Sequence, residues 1–121
     1  MSDDVTNVVN AASERWKAFF NAGDAAGCAS CYEEDATMVA APFGTYVGRA
    51  QIEQFWTGLI ADGFAEVEYI DRKTEAIDDK SAVISAGWRM NKARGVITRE
   101  LWVIQDNGEA LLREDHFEAQ G

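Results

Sequence analysis

Residues Arg15 to Arg49 read RWKAFFNAGDAAGCASCYEEDATMVAAPFGTYVGR, and the fold is decided in this stretch. Leading into it, Val5, Val8, Val9, Ala12, Trp16, Phe19 and Phe20 recur on one face at helical spacing. Ser2, Asp3 and Asp4 have the chemistry of a helix start, a capping hydroxyl followed by acids in the first turn. Gly23 is the expected C-cap, and Asp24 can cap a second, short helix. That helix is expected to end near Tyr32, with Glu33, Glu34 and Asp35 at its end. Ala36 to Ala40 then reads as a strand, Pro42 and Gly44 break it, and Thr45 to Val47 make a second short strand. Gly48 and Arg49 lead into a third helix, whose stripe is Ile52, Phe55, Trp56, Leu59 and Ile60. Gly63 ends it, and Arg49 is placed to support its start or to pair with Glu33, Glu34 or Asp35.

Beyond Gly63 the period changes from 3.6 to 2. Strands are predicted over 66–76, 82–91, 95–105 and 110–118, joined by polar turns at Asp78-Asp79-Lys80, Lys92 to Gly95, and Asp106-Asn107-Gly108. Such short turns make an antiparallel meander. Helices first and a sheet after them define an α+β domain spanning residues 1–121. In the long strand around residue 100, Ile97, Leu101 and Val103 share one face with Arg99, while Thr98, Glu100, Trp102 and Ile104 share the other. Apolar residues on both faces imply that both are covered. Helices cover one, and a second copy of the chain is expected on the other, giving a homodimer through the sheet.

Composition narrows the function classes. The chain has 121 residues, 47% of them apolar and 26% charged, an ordinary globular balance. Its formal net charge is −10, with no basic cluster to set against it, so neither nucleic acid nor an anionic membrane is an expected partner. Neutral or cationic small molecules suit this charge better. No apolar run has the length of a membrane span, and MSDDVTNVV lacks the pattern of a secretory signal, so the expected location is cytoplasmic. Cys28 and Cys31 form a CxxC pair inside the small-residue segment DAAGCASCY. Two cysteines and one histidine do not complete a zinc site, and small residues packing a helix explain the pair more simply than redox chemistry. No metal and no cofactor are expected.

FFNAGD, CYEEDATMVA and PFGTYVGRAQIEQFW, in that order and at these spacings, resemble the start of the nuclear transport factor 2-like superfamily, in its SnoaL-like and ketosteroid-isomerase-like branch. The resemblance extends over nearly the whole chain. It implies three N-terminal helices packed on a curved, mainly antiparallel sheet, a cystatin-like α+β cone with an internal pocket, and dimers are common among such proteins. Isomerases, polyketide cyclases, epoxide hydrolases, dehydratases and proteins without known activity share the fold, so function rests on individual residues. The resemblance places Ala41 where ketosteroid isomerases carry a general-base aspartate, and Trp16 where they carry an oxyanion tyrosine. Glu100 falls at their second oxyanion acid. Ketosteroid isomerase activity is therefore not expected.

A two-residue turn at Asn107-Gly108 would set Asp106 opposite Glu109, Trp102 opposite Arg113, Glu100 opposite Asp115 and Thr98 opposite Phe117. The preceding hairpin would set Ala86 opposite Glu100 and Trp88 opposite Thr98. The pocket face then carries Ile84, Ala86, Trp88, Thr98, Glu100, Trp102, Arg113 and Asp115, with Trp16, Phe20 and Trp56 added from the helices. Trp16, Phe20, Trp56, Trp88 and Trp102 are the candidate ligand-binding aromatics. Glu100 and Asp115 are the candidate acid and base, with Arg113 orienting them, because two carboxyls in a dry site cannot both ionise cheaply. This acid–arginine–acid set is similar in kind to that of limonene-epoxide-hydrolase-like proteins. An ion-pair network at the solvated end of the sheet is the competing reading. His116 points to the dimer face in this register, and only a one-residue slip, such as a three-residue turn with a bulge at Gly108, would bring it and Glu114 into the pocket. The function read from these residues is a small, cofactor-independent enzyme of isomerase, cyclase, dehydratase or hydrolase type acting on a compact apolar molecule. The alternative is a non-catalytic protein that binds a hydrophobic ligand in the same pocket.

Overall fold

The computed structural model describes residues 2–120, with side chains from residue 4. Three helices come first, interleaved with two strands: α1 (Ser2–Asn21), α2 (Ala25–Ser30), β1 (Tyr32–Ala41), β2 (Gly44–Val47) and α3 (Arg49–Ala61). Four long strands follow: β3 (Glu68–Ala76), β4 (Ser81–Arg89), β5 (Arg94–Ile104) and β6 (Ala110–Ala119). They form one curved six-stranded sheet in the order β2-β1-β6-β5-β4-β3. Neighbours are antiparallel except β1 and β6, which run parallel. The architecture is α+β, as the sequence implies, with α1 against β3 to β6 and α3 against β1 and β2. Among the described residues, no helix is long and apolar enough to cross a membrane.

Local chemistry explains the helical corner. Gly23, at φ +75°, ends α1, with its N–H bonded to the Phe20 carbonyl and the Asp24 N–H to that of Phe19. This is the glycine-dependent Schellman closure. Asp24 then caps α2 by accepting from the Gly27 N–H at 2.9 Å. A Cβ on Gly27 would run into the Phe19 ring, so the small residues of this segment let α1 and α2 touch. Cys28 and Cys31 are buried free thiols in that contact, and burial raises both thiol pKa values, which disfavours the thiolate. The expected cap at Ser2 involves side chains outside the described residues.

β1 is longer than its sequence pattern predicts. It begins at Tyr32 and takes in Glu33, Glu34 and Asp35, which the sequence reading assigns to the end of α2. The difference arises because β6 pairs with this segment, Tyr32 lying opposite Leu112, and such a long-range partner is invisible to local propensity. Arg49 donates two hydrogen bonds to the Tyr32 carbonyl, at 3.2 and 2.6 Å, instead of pairing with an acid.

The β5–β6 register differs from the predicted one in an informative way. The turn places Ile104 opposite Ala110, where a two-residue turn at Asn107-Gly108 would set it opposite Leu111, and the Gly108 N–H bonds to the Gln105 carbonyl at 2.9 Å, so the loop is one residue longer than a two-residue turn. Alone, that offset would turn every later side chain of β6 over. A bulge at Arg113 cancels it. Trp102 pairs with Leu112 and Leu101 with Glu114, leaving Arg113 as the extra residue, and Glu100 again lies opposite Asp115. A second bulge, on β5 at Thr98, shifts the register back, so Ile97 and not Thr98 faces Phe117. Between β4 and β5, Ile84 lies opposite Glu100, Ala86 opposite Ile97 and Trp88 opposite Gly95, which corrects the expected pairs Ala86–Glu100 and Trp88–Thr98.

Candidate functional site

Trp16, Phe20, Trp56, Phe55 and Phe117 build an aromatic cluster between α1, α3 and the sheet. The Trp16 ring stacks on Phe20 at 5.4 Å and meets Trp56 edge-on at 5.0 Å, and Trp56 stacks on Phe117 at 5.8 Å. A cavity of about 60 Å³ opens beside this cluster. That is several times the roughly 10–15 Å³ one water needs. Its wall includes Trp16, Phe55, Trp56, Trp88 and Phe117, together with Tyr69, Glu100 and Asp115. Its lining contains no lysine, arginine or histidine among the described residues. The remaining walls are apolar, among them Leu59, Val67, Met90 and Ile97.

Of the five aromatics singled out from sequence, Trp16, Trp56 and Trp88 line the cavity. Phe20 and Trp102 are buried behind its wall. Trp88 reaches the cavity because it lies across Gly95 on the next strand, where a Cβ would collide with its ring and with the Glu118 carbonyl. Ala41 does not reach the lining, whereas Phe43 beyond the proline does.

The two candidate carboxyls are brought together and buried, Glu100 at 7% exposure and Asp115 at 3%. Glu100 Oε1 accepts from the Trp102 indole N–H at 3.1 Å. Asp115 Oδ2 accepts from the Tyr32 hydroxyl at 2.6 Å, and that hydroxyl accepts from the Trp56 indole N–H at 3.3 Å. Among the described residues, Asp115 Oδ1 is buried without a hydrogen-bond partner. Burial, and then the neighbouring Asp115 charge, push the Glu100 pKa up to about 8. Burial raises Asp115 to about 6, against the Tyr32 hydrogen bond, which lowers it. Tyr32 and Tyr69 are pushed well above the usual phenol value, first by burial and then by the two carboxyls, so both stay protonated.

Arg113 does not join this group. As the bulge residue of β6 it turns outward, is largely exposed and pairs with Glu33 at 2.7 Å. Thr98, also a bulge residue, is exposed. His116 stays on the outer face, 3.5 Å from Glu114, so neither of them enters the cavity. The predicted acid–arginine–acid trio is replaced by two carboxyls held by neutral donors.

Sequence reasoning missed the cavity-lining aromatics Phe55, Tyr69 and Phe117, and it missed Tyr32, which holds Asp115. Extending the alternation of Ala36, Met38 and Ala40 back by four residues reaches Tyr32, but the acidic run between them hides that signal.

The family model of the SnoaL-like domain matches residues 13–106, and the chain belongs to that family. Among solved structures, it is similar to a ketosteroid isomerase-like protein from Erwinia carotovora atroseptica, with TM-score 0.82, 12% identity and 96% of each chain covered. A scytalone dehydratase-like protein from Novosphingobium aromaticivorans superposes with TM-score 0.83 at 13% identity, over 100% of this chain and 89% of the other. ActVI-ORFA from Streptomyces coelicolor gives 0.77 at 16%, over 94% and 96%. At such identities the likeness concerns the fold. No curated protein gives a significant sequence match.

Proposed function

We propose that this SnoaL-like protein binds a compact, mainly apolar organic molecule and performs cofactor-independent acid–base chemistry on it, by isomerisation, cyclisation, dehydration or hydrolysis. The observation that carries the reading is the burial of Glu100 opposite Asp115 in the wall of an aromatic cavity. Near neutral pH, Asp115 is the anionic member and Glu100 the protonated one, which separates base from acid. Tyr32 holds Asp115 Oδ2, so Oδ1 is the basic oxygen. The Trp102 N–H occupies Glu100 Oε1, so the acidic proton belongs on Oε2. Carboxyl NMR titration of the wild type and of Glu100→Gln tests this. Two carboxyls titrating well above the ordinary range, one of them removed by the substitution, support it. Ordinary values for every carboxyl would remove the acid and the base together.

The same cavity supports a second reading, a ligand-binding protein without catalysis, and its aromatic wall favours that as much as catalysis. The outer sheet face supports a homodimer. Val103 and Leu111 are cross-strand partners there and, with Leu101, are only half-buried in the single chain. Sedimentation of the wild type as a monomer at micromolar concentration would sink the dimer.

A further inference from the structure

The cavity has a buried end and a mouth. Trp16, Trp56, Glu100 and Asp115 are buried and form the inner end. The rim residues come from turns and element ends and are half-buried or exposed: Phe43 between β1 and β2, Leu59 and Phe64 at the end of α3, Met90 and Ala93 between β4 and β5, and Ala119 at the end of β6. An open groove of about 690 Å³ continues from this rim along α3, with Thr45, Gln51, Gln54 and Gly58 in its lining. Phe43, Phe55, Leu59 and Phe64 line both spaces, so these four side chains are the partition between them. Behind the partition the cavity measures about 60 Å³. A dry cavity that takes benzene measures roughly 150 Å³, so in this conformation the space is closed to a ring.

Three of the partition residues are tied in place. Phe55 is wedged among Tyr46 at 4.9 Å, Trp56 at 5.0 Å and Phe117 at 6.3 Å. Leu59 belongs to the last turns of α3, and the Phe64 N–H bonds to its carbonyl at 3.3 Å while the Lys92 ammonium lies 5.7 Å over the Phe64 ring. Phe43 differs. Its backbone is fixed by a 2.6 Å bond from its N–H to the Ala40 carbonyl, but its side chain stands at a turn on the edge of the sheet, 57% exposed, with the Phe55 ring 6.0 Å away. Exposed side chains of this kind exchange rotamers freely, and an aromatic ring left in water gains by being covered. We propose that the Phe43 side chain is the gate of the cavity: turned in it closes the mouth, and turned out it joins cavity and groove into one site for a neutral, mainly apolar ring compound. The joined walls carry Glu100, Asp115 and Asp62 and, among the described residues, no cationic side chain, which disfavours an anionic ligand. The gate rests on the ligand-binding reading of this cavity, because it states how the ligand reaches the two carboxyls.

The test follows N-phenyl-1-naphthylamine, a neutral fluorescent aromatic, binding to the full chain by stopped flow. A gate open less than about a third of the time slows association at least about threefold, so Phe43→Ala should speed association by that factor or more. A side chain that is only part of the wall would leave association unchanged and speed dissociation alone. Phe43→Leu, smaller than the native ring and still apolar, should act in the same direction, and it decides the matter should the alanine variant fail to fold. The groove is tested at Gly58, which lines it but not the cavity, and where an added Cβ meets nothing within 4 Å. Gly58→Leu fills that space and should weaken the probe at least about threefold. The proposal is overturned if neither Phe43 variant speeds association about threefold, if Gly58→Leu binds the probe as the wild type does, or if neither the wild type nor Phe43→Ala binds it. Carboxyl titration of the ligand-free protein tests the acid–base reading separately. Raised carboxyls without a gate effect would overturn only the gate, whereas ordinary carboxyls with a gate effect would overturn only the chemistry.

Discussion

The Tyr32 hydroxyl donates to Asp115 Oδ2 across 2.6 Å, tying the start of β1 to the middle of β6 inside the aromatic wall. This bond decides which oxygen of Asp115 is held and which is left open, and it links the position of the base to sheet pairing. Tyr32→Phe leaves Oδ2 buried without a donor, at a cost of about 1–3 kcal/mol. It also removes the bond that lowers the Asp115 pKa, so that pKa should rise further. Urea unfolding and carboxyl NMR of the variant check the two effects, and an unchanged Asp115 titration would show that the bond does not form in solution.

Stability should fall as pH rises from acid to mildly alkaline. Glu100 and Asp115 have folded-state pKa values above their ordinary ones, so the folded state binds protons that the unfolded state has released. Their stabilising contribution is complete below the ordinary carboxyl range. It is lost as pH climbs through about 6 for Asp115 and about 8 for Glu100. The slope is at most about 1.4 kcal/mol per pH unit for each proton. Comparing wild type with Glu100→Gln between acid and alkaline pH isolates the Glu100 part, which should be the steeper one near neutrality. A wild-type curve parallel to that of Glu100→Gln would contradict it.

Arg113 should matter little. Its partner Glu33 is not among the cavity's lining residues and Arg113 is itself mostly exposed, so Arg113→Ala is expected to cost about 0–1 kcal/mol and to leave the titration of the buried carboxyls unchanged. A displaced Glu100 or Asp115 titration in this variant would return the arginine to the site.

Gly95 should tolerate no side chain. The Cβ of Gly95→Ala would meet both the Glu118 carbonyl and the Trp88 ring. Overpacking of this kind costs about 1–3 kcal/mol or more. Chemical denaturation gives the loss, and a shifted Trp88 indole signal would show that the cavity wall has moved with it. Full stability in this variant would mean that Trp88 does not lie across Gly95.

Much of the fold was legible because its causes are local. The stripe from Ile52 to Ile60, the Gly23 closure and the alternating strands after Gly63 each follow from the spacing of nearby residues. The pairing of Glu100 with Asp115 was also anticipated, but from a turn with the wrong length. The longer loop at Gly108 and the bulge at Arg113 introduce equal and opposite offsets, so the pair survives while Trp102 exchanges its expected partner Arg113 for Leu112. Bulges answer to packing and leave weak marks in sequence. For that reason Arg113 and Thr98, expected inside, are outside, and Ile97 takes the place of Thr98.

The amino-acid sequence alone determined the α+β class and the order of helices and strands, since periodicity and composition carry both, whereas the shared face of Glu100 and Asp115 depends on a loop and a bulge whose offsets cancel. Only the tertiary structure decided what surrounds those acids. Tyr32 reaches Asp115 through parallel pairing between segments 83 residues apart in the chain, and Trp102 turns its indole to Glu100 within a buried layer. Burial, which sets the protonation of both carboxyls, belongs to the assembled fold, because it depends on what every other element excludes from the cavity.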